Sequence, residues 1–475
     1  MPNSLAQNYP HLEISVLKLS EVLHDNPTKR MDAEYFKREW VGIKNKLLSV
    51  PNEYLRNLVS FNARYSQPTY DQNSQLKIIN SQHVRNEYIN HENARTGYGA
   101  VVPREAILIN STGVGTLGRV FINLLDFDFS VDNHINILVV KDYKKLLPGF
   151  LMVFLQTKFG QAQINRYYSG TSGQIEIYPR NFNNFLIPLL PLDFQEHIAQ
   201  LVKNAHACLE QSKALYKEAQ GLLEQELGTP PKAPPKEHQI KSLKESFLST
   251  GRLDAEFYQS KYEHLETCLR EYVNGVVPLK DLVHEYSSGF AFKSVDYLDQ
   301  QQPNALMLIR INNIKRNTLD TQNVIYLPAQ AKELSPKDKL QKGDLLISMS
   351  GSIGLACVVH TEIEAMLNQR ILKIRVKNFI PEVLALYLNS VMGRLQFERI
   401  GTGGVQTNLS YADMQNIFVP KIPLNVQEQI AALLQESLKH REQAKVLLTQ
   451  AKARAEHALT GGGGGNLQTT PKGGL

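Results

Sequence analysis

Asn133-His134 and, 236 residues further on, Gln369-Arg370 are side chains on which one kind of chemistry can be built. Asn, Gln and Arg present paired donors or acceptors in fixed geometry, the requirement for bidentate contact with the edge of a DNA base. Hydroxyls and glycines accompany them. Thr112, Thr116 and Arg119 lie in or beside Gly113-Val-Gly-Thr-Leu-Gly118, and Ser350 and Ser352 flank Gly351. Gln174 ends the polar run Ser169-Gly-Thr-Ser-Gly-Gln174, and Gln406 ends its counterpart Gly401-Thr-Gly-Gly-Val-Gln406. Basic residues, which neutralise phosphates, cluster near these: Arg166 with Tyr167 and Tyr168, Lys141 with Lys144 and Lys145, Arg310 with Lys315 and Arg316. The candidate DNA-binding set is therefore Thr112, Thr116, Arg119, Asn133, His134, Arg166, Gln174, Ser350, Ser352, Gln369, Arg370 and Gln406. Taken singly, each also fits a solvated surface, and the glutamines also fit a role bracing their own loops.

Catalytic chemistry finds less support. Gly113 to Gly118 is a literal G-x-G-x-x-G, but a dinucleotide site needs a helix next, and Arg119-Val-Phe-Ile122 is strand-like. A tight glycine-rich hairpin explains it better. The Asn-Pro-Pro-aromatic signature of adenine-N6 methyltransferases is missing, since Asn26-Pro27 runs into Thr28. No P-loop lysine, zinc-helix histidine pair or G-x-S-x-G elbow occurs. Cys208, Cys268 and Cys357 have no metal-ligand spacing, so no metal is expected, and no candidate nucleophile or ligand set recurs in both halves of the chain, so no catalytic residue is expected.

The elements that position the polar residues come in two sets. Pro188-Leu-Leu-Pro-Leu-Asp-Phe-Gln-Glu-His-Ile-Ala199 returns as Pro420-Lys-Ile-Pro-Leu-Asn-Val-Gln-Glu-Gln-Ile-Ala431, 232 residues later and without a gap. The helix that follows can start only after Pro191 and Pro423, with Asp193 and Asn425 as N-caps and Glu196 and Glu428 as capping-box partners. Ile198, Leu201, Ala205, Cys208, Ser212, Leu215, Ala219 and Leu222 then alternate spacings of three and four, a coiled-coil period. The copy gives Ile430, Leu433, Ser437, His440, Ala444, Leu447, Ala451 and Arg454, widened by Leu434, Leu438 and Leu448. A helix over 194–227 is about 50 Å long and cannot bury its stripe alone, so the two are expected to pair. Ile198, Leu201, Leu215, Leu222, Ile430, Leu433 and Leu447 are the expected seam and docking residues.

Ahead of each long helix lies a tract of short strands. In the first half these are Lys77–Ile79, Ala106–Ile109, Arg119–Ile122 and Ile135–Val140, with one helix from Pro148 to Ile164. The second half repeats them as Asp344–Ile347, Ala356–Val359 and Ile371–Val376, with a helix from Pro381 to Phe397. Arg30-Met-Asp-Ala-Glu-Tyr-Phe36 is echoed by Arg252-Leu-Asp-Ala-Glu-Phe-Tyr258, where Asp caps a helix and the aromatics pack. The expected parts are 1–54 with the first Arg-x-Asp-Ala-Glu element, a mostly β domain over 55–193, a helix over 194–227, and a Pro-rich connector over 228–239. There follow 240–275 with the second element, a second β domain over 276–425, a helix over 426–459, and 460–475 as a flexible tail or appended linker. The fold class is α+β, duplicated in tandem. A net charge of +6 over 475 residues permits a polyanionic partner without demanding one. The opening Met-Pro-Asn-Ser-Leu-Ala-Gln lacks a signal-peptide pattern, and Leu146–Leu155, interrupted by Pro148, is too short to span a bilayer. A cytoplasmic protein without a membrane span is expected.

The duplicated order of β domain, Pro-x-x-Pro-x-x-x-Gln-Glu-x-Ile-Ala and long helix resembles the specificity subunit of type I restriction–modification enzymes. Gly343-Asp-Leu-Leu-Ile-Ser-Met-Ser-Gly-Ser-Ile-Gly354 is similar to that family's target recognition domains, and the resemblance covers nearly all of residues 30–459. It implies two target recognition domains, each reading half of a bipartite, asymmetric site on double-stranded DNA. It also implies helices paired as an antiparallel coiled coil that docks two methyltransferase subunits. S-adenosylmethionine and the chemistry would then sit on those partners, and a restriction and motor subunit would complete a phage-defence complex. The chain itself would be non-catalytic and need no cofactor. Two other readings compete: a methyltransferase or fused restriction enzyme acting alone, and a two-domain scaffold that binds no DNA.

Overall fold

The computed structural model describes residues 8, 9, 12, 14, 16–24, 26, 29–170, 174–228, 240–298, 300–321, 324–401 and 408–461. The connector beyond Gly228, the stretch beyond Gly461, and residues 171–173 and 402–407, Gln406 among them, lie outside these. The chain forms two compact units, residues 1–211 with 440–475, and residues 212–439.

In the first unit, α1 (Arg38–Leu48) precedes a β domain whose ends are closed by β1 (Asn52–Tyr54) pairing with β10 (Leu186–Pro188). Between them run β2 (Val59–Arg64), β3 (Thr69–Tyr70), β4 (Lys77–Ile79), β5 (Arg95–Tyr98), β6 (Ile107–Asn110), β7 (Val120–Ile122), β8 (Phe129–Val131) and β9 (Ile135–Val140). One sheet has the antiparallel order β2-β9-β6-β7. The other has the order β3-β5-β4-β8, with β4 and β8 parallel. All four residues of β6 are buried, the apolar Ile107-Leu108-Ile109 together with Asn110, whose Nδ2 donates to Ser81 O (2.7 Å). The strand's cover includes α2 (Pro148–Gln156), followed by α3 (Lys158–Tyr167).

The single helix expected over 148–164 is thus two. Thr157 is extended, with φ −69° and ψ 165°, and its Oγ1 accepts from the Gly160 N–H. A Cβ at Gly160 would collide with the Leu155 backbone, so the next helix starts where only glycine fits. Ser390 and Gly393 break the second copy in the same way.

The first long helix, α4, spans Leu192–Leu227. In the second unit α5 (Ser260–Arg270) leads into β11 (Val276–Pro278), β12 (Val283–Ser287), β13 (Leu306–Ile309), β14 (Ile314–Lys315), β15 (Thr318–Leu319) and β16 (Ile325–Leu327). β17 (Leu345–Ser348), β18 (Ala356–Val358), β19 (Ala365–Leu367) and β20 (Ile371–Val376) complete its sheets. There follow α6 (Pro381–Asn389), α7 (Val391–Ile400), β21 (Phe418–Pro420) and the second long helix α8 (Leu424–Thr460). The order β12-β20-β17-β18 reproduces β2-β9-β6-β7, and β16-β13-β19, with β13 and β19 parallel, matches β5-β4-β8 without a strand in the place of β3. The structure is α+β and duplicated, as the sequence implies.

The repeated motif works through its glutamine. Gln195, 1% exposed, accepts from the Leu147 N–H (2.9 Å) and donates to the carbonyls of Leu190 (2.8 Å) and Lys145 (3.1 Å). Gln427 accepts from Ile380 N–H (2.9 Å) and donates to Ile422 O (2.7 Å). Each glutamine ties the start of a long helix to the start of the domain's own helix, which supplies a partner for an otherwise orphaned helix N-terminus. Both long helices begin directly after the prolines, so Asp193 and Asn425 sit in the first turn instead of capping it. There Asp193 still favours the positive end of the helix dipole.

Within the first unit the early part of α4 packs with the late part of α8: Ile198, Val202, Ala205 and Leu209 share a core with Ala444, Leu448, Ala451, Ala455 and Leu459. Within the second unit Ala219 and Leu223 share one with Ile430, Ala431 and Leu434, and the buried Ser212 and Ser437 hydroxyls bond at 3.0 Å. Early with late, and late with early, makes the pairing antiparallel. The seam differs from the expected one by a residue. Ile198 and Ile430 are on it, but Val202, Leu209, Leu223, Leu434 and Leu448 replace Leu201, Cys208, Leu222, Leu433 and Leu447, which pack on its flanks. Leu215 is only half-buried and belongs to neither core. Adjacent apolar pairs such as Leu201-Val202 and Leu222-Leu223 offer two stripes one residue apart, and periodicity alone does not choose between them.

Candidate nucleic-acid interface

Three chain segments meet at one edge of each domain. In the first they are the glycine-rich turn after β6, the turn between β8 and β9, and the stretch Gln174–Ile177. Ser111 N–H donates to His134 O (2.9 Å), Ile177 N–H donates to Ser111 O (2.9 Å), and Thr112 lies opposite Glu176 in a short antiparallel bridge. In the second, Met349 N–H donates to Arg370 O (3.0 Å), Leu409 N–H donates to Met349 O (2.8 Å), and Ser350 lies opposite Asn408. The same backbone scheme therefore gathers Thr112, His134 and Glu176 in one half and Ser350, Arg370 and Asn408 in the other.

Local bonds hold the first set. Thr112 Oγ1 and His134 Nδ1 share a hydrogen bond of 3.0 Å, and His134 N–H donates to Asp132 Oδ1 at 3.0 Å. Burial pushes the Asp132 carboxyl above the usual carboxylate range, against the pull of His134. Burial would raise Glu176 as well, but Arg64 and Tyr178 outweigh it and hold that carboxyl low. Arg64 donates to both Glu176 Oε1 and the Ile177 carbonyl.

The predicted residues fall into three classes. Asn133, His134, Gln174, Ser352, Gln369 and Arg370 are exposed, and Thr112 is half-buried among them. Ser350 is 6% exposed and serves the backbone bridge. Thr116 Oγ1 donates to Thr112 O (2.9 Å) and Arg119 Nη2 donates to Gly115 O (2.7 Å), so both brace the glycine-rich turn. Gln406 lies outside the described residues.

Arg166 does not belong to this surface. It is 8% exposed, its Nε donates to Tyr35 O (3.2 Å), and its guanidinium lies 4.4 Å from the Tyr35 ring centroid. Arg399 does the same to Phe257, at 3.2 Å and 4.5 Å. These arginines dock the Arg-x-Asp-Ala-Glu-aromatic elements. Each element is a single 3-10 turn, Ala33–Phe36 and Ala255–Tyr258. Asp32 caps the first through Tyr35 N–H (3.1 Å), and Arg30 and Arg252 pair with Asp32 and Asp254. Lys141, Lys144 and Lys145 follow the far end of β9 from His134, about 20 Å along the strand, and are not part of the site either.

Glu176 and Asn408, absent from the expected set, lie two residues beyond Gln174 and Gln406. Carrying the 232-residue offset two positions further pairs them. A hydroxyl, an imidazole and a carboxylate suggest acyl-transfer chemistry in the first half, but Glu176 is engaged by Arg64 and its counterparts are a serine, an arginine and an asparagine. What both halves share is hydrogen-bonding capacity at the same three points. That suits recognition. Among the described residues no three His, Cys, Asp or Glu side chains could hold a metal ion, and no helix is long and apolar enough to cross a membrane.

A family model for the type I restriction modification DNA specificity domain matches residues 59–220 and again 274–447. The specificity subunit of the type I restriction enzyme EcoBI from Escherichia coli is 21% identical over 297 residues, which cover 58% of this chain and 56% of that one. The match thus spans about half the length of that curated relative. Among solved structures, a type I restriction–modification S subunit from M. genitalium is similar at 14% identity and a TM-score of 0.42, covering 86% of this chain and 94% of that one. The HsdS subunit from Thermoanaerobacter tengcongensis is similar at 14% identity and a TM-score of 0.28, covering 86% and 96%.

Proposed function

The chain belongs to the family of type I restriction modification DNA specificity domains, and from that premise we propose that it is the DNA-recognition subunit of a type I restriction–modification complex. Each domain reads one half of a bipartite, asymmetric sequence. The paired helices dock two methyltransferase subunits, which bind S-adenosylmethionine and carry out methyl transfer, and restriction and motor subunits join them. The chain itself catalyses nothing.

One observation carries this reading. A single backbone scheme recurs in both halves and presents different side chains, Thr112, His134 and Glu176 against Ser350, Arg370 and Asn408. Against an enzyme, Arg64 engages Glu176 and the first half's set has no counterpart in the second, whereas two readers of different half-sites keep the frame and change the hydrogen-bonding groups. Methylome sequencing of cells with and without the chain tests it. A bipartite methylated motif that disappears with the chain is expected. Methyl transfer by the purified chain alone, or a continuous short motif, refutes it. Exchanging residues 55–187 for the equivalent domain of a relative is expected to alter one half of the motif only.

A further inference from the structure

We propose that Arg370 reads a guanine in the half-site recognised by the second domain, and that its strained backbone is retained for that contact. The inference rests on the DNA-recognition reading above and adds a residue and a base to it.

Arg370 has φ +70°. Only six described non-glycine residues have positive φ, and three of them are asparagine, which tolerates the left-handed region best. A fourth, Glu105, is anchored to Lys203 at 3.8 Å. Arg370 has no such excuse: it is exposed, and its side chain has no partner among the described residues. Nor does the fold demand the strain, because His134 occupies the equivalent turn, makes the equivalent carbonyl bond and does not share the positive φ. Unusual backbone held without structural need points to function.

The surroundings point to a ligand as well. Arg310 and Asn368 end the parallel pair β13–β19 beside this turn, and Arg310 Nε and Asn368 Oδ1 are buried without a hydrogen-bond partner among the described residues. Asn368 N–H is fixed by Ile309 O (2.9 Å) and Gln369 N–H by Phe290 O (3.0 Å), so the turn presents its side chains from a rigid frame. Gln369 and Asn408 are exposed next to it. A guanidinium offers two parallel donors, and guanine alone among bases offers two acceptors, O6 and N7, on its major-groove edge.

The test uses the complex of the chain with its methyltransferase partners and DNA duplexes that carry, one at a time, each substitution of the wild-type motif. With R370A, preference for guanine at one position of one half-site falls about tenfold or more, while the other half-site is read unchanged. R370G gives the same relaxation and melts about 2 °C above R370A, because glycine relieves the left-handed backbone, and this separates lost reading from lost folding. Base preferences unchanged in both variants overturn the proposal. So does a uniform loss of affinity on every duplex, which marks a phosphate contact, or a motif whose affected half contains no guanine on either strand. Methylation that does not depend on the chain at all sinks the DNA-recognition reading and this inference with it. A chain-dependent bipartite motif with an unaffected guanine sinks this inference alone.

Discussion

Replacing Gln195 by alanine removes the joint between α4 and the first domain. Three bonds are lost, and two of the groups they leave behind, the Leu147 N–H and the Leu190 carbonyl, belong to half-buried residues beside the core. The Lys145 carbonyl belongs to an exposed residue and finds water. At about 1–3 kcal/mol for each orphaned buried group, Q195A costs about 3 kcal/mol after partial relaxation. Denaturant unfolding of wild type and Q195A measures the sum. Hydrogen-exchange mass spectrometry over residues 145–156 locates it, since Leu147 N–H loses its acceptor and the first turn of α2 opens. Q427A is expected to cost a similar amount and to expose the start of α6, leaving α2 protected. A loss below about 0.5 kcal/mol with unchanged exchange at α2 refutes the account of the motif as a hydrogen-bonded joint.

Gly354 sits at φ +79°, and a Cβ there would overlap the Phe397 ring, so G354A costs about 2–4 kcal/mol by thermal or denaturant unfolding. G118A, at the same φ but 3.0 Å from the adaptable Gln161 Oε1, costs about 1–2 kcal/mol. In the helix pair L223D places an unpaired charge in the core and costs about 3 kcal/mol or more, whereas L215D, outside it, costs under about 1 kcal/mol. Equal losses would restore the seam read from periodicity. Burial acts to raise the Glu266 carboxyl, but Arg270 and Arg399 outweigh it and hold it below its ordinary value. A depressed carboxylate adds stability that is present above about pH 4.5 and is lost as pH falls through the folded-state value. The melting-temperature gap between wild type and E266Q therefore narrows in acid, and a gap constant from pH 7 to pH 3 contradicts the pairing.

Much of this fold is written in residue patterns. Three strands of each central sheet follow from short apolar runs, whereas the edge strands β2 and β12, which mix polar with apolar residues, do not. The duplication follows from the prolines and Gln-Glu-x-Ile-Ala. Patterning failed where two solutions lie one residue apart, as in Leu201-Val202, or where a cap hides in an apolar run, as at Thr157 and Ser390. Arg166 misled for another reason: a basic residue beside two tyrosines suggests a phosphate, while the fold buries it against Tyr35. A signal for its true role was present. Gln163-x-x-Arg166 recurs as Gln396-x-x-Arg399, and both glutamines bond both backbone groups of the residue opposite, Leu186 and Phe418. A charged residue repeated together with a buried neighbour reads as framework. Glu176 is not legible from its residue type, because phosphates repel a carboxylate, although a carboxylate can accept from cytosine.

The division of the chain sets an order of assembly on the ribosome. The second unit is one uninterrupted stretch, residues 212–439, and has all its parts as soon as that stretch has emerged. The first unit is begun earlier but finished later, because Ala444, Leu448, Ala451, Ala455 and Leu459 belong to its core. Until α8 is made, Ile198, Val202, Ala205 and Leu209 present an uncovered apolar stripe, a natural target for chaperones. A premature stop just after residue 440 therefore damages the domain made first and spares the one made last.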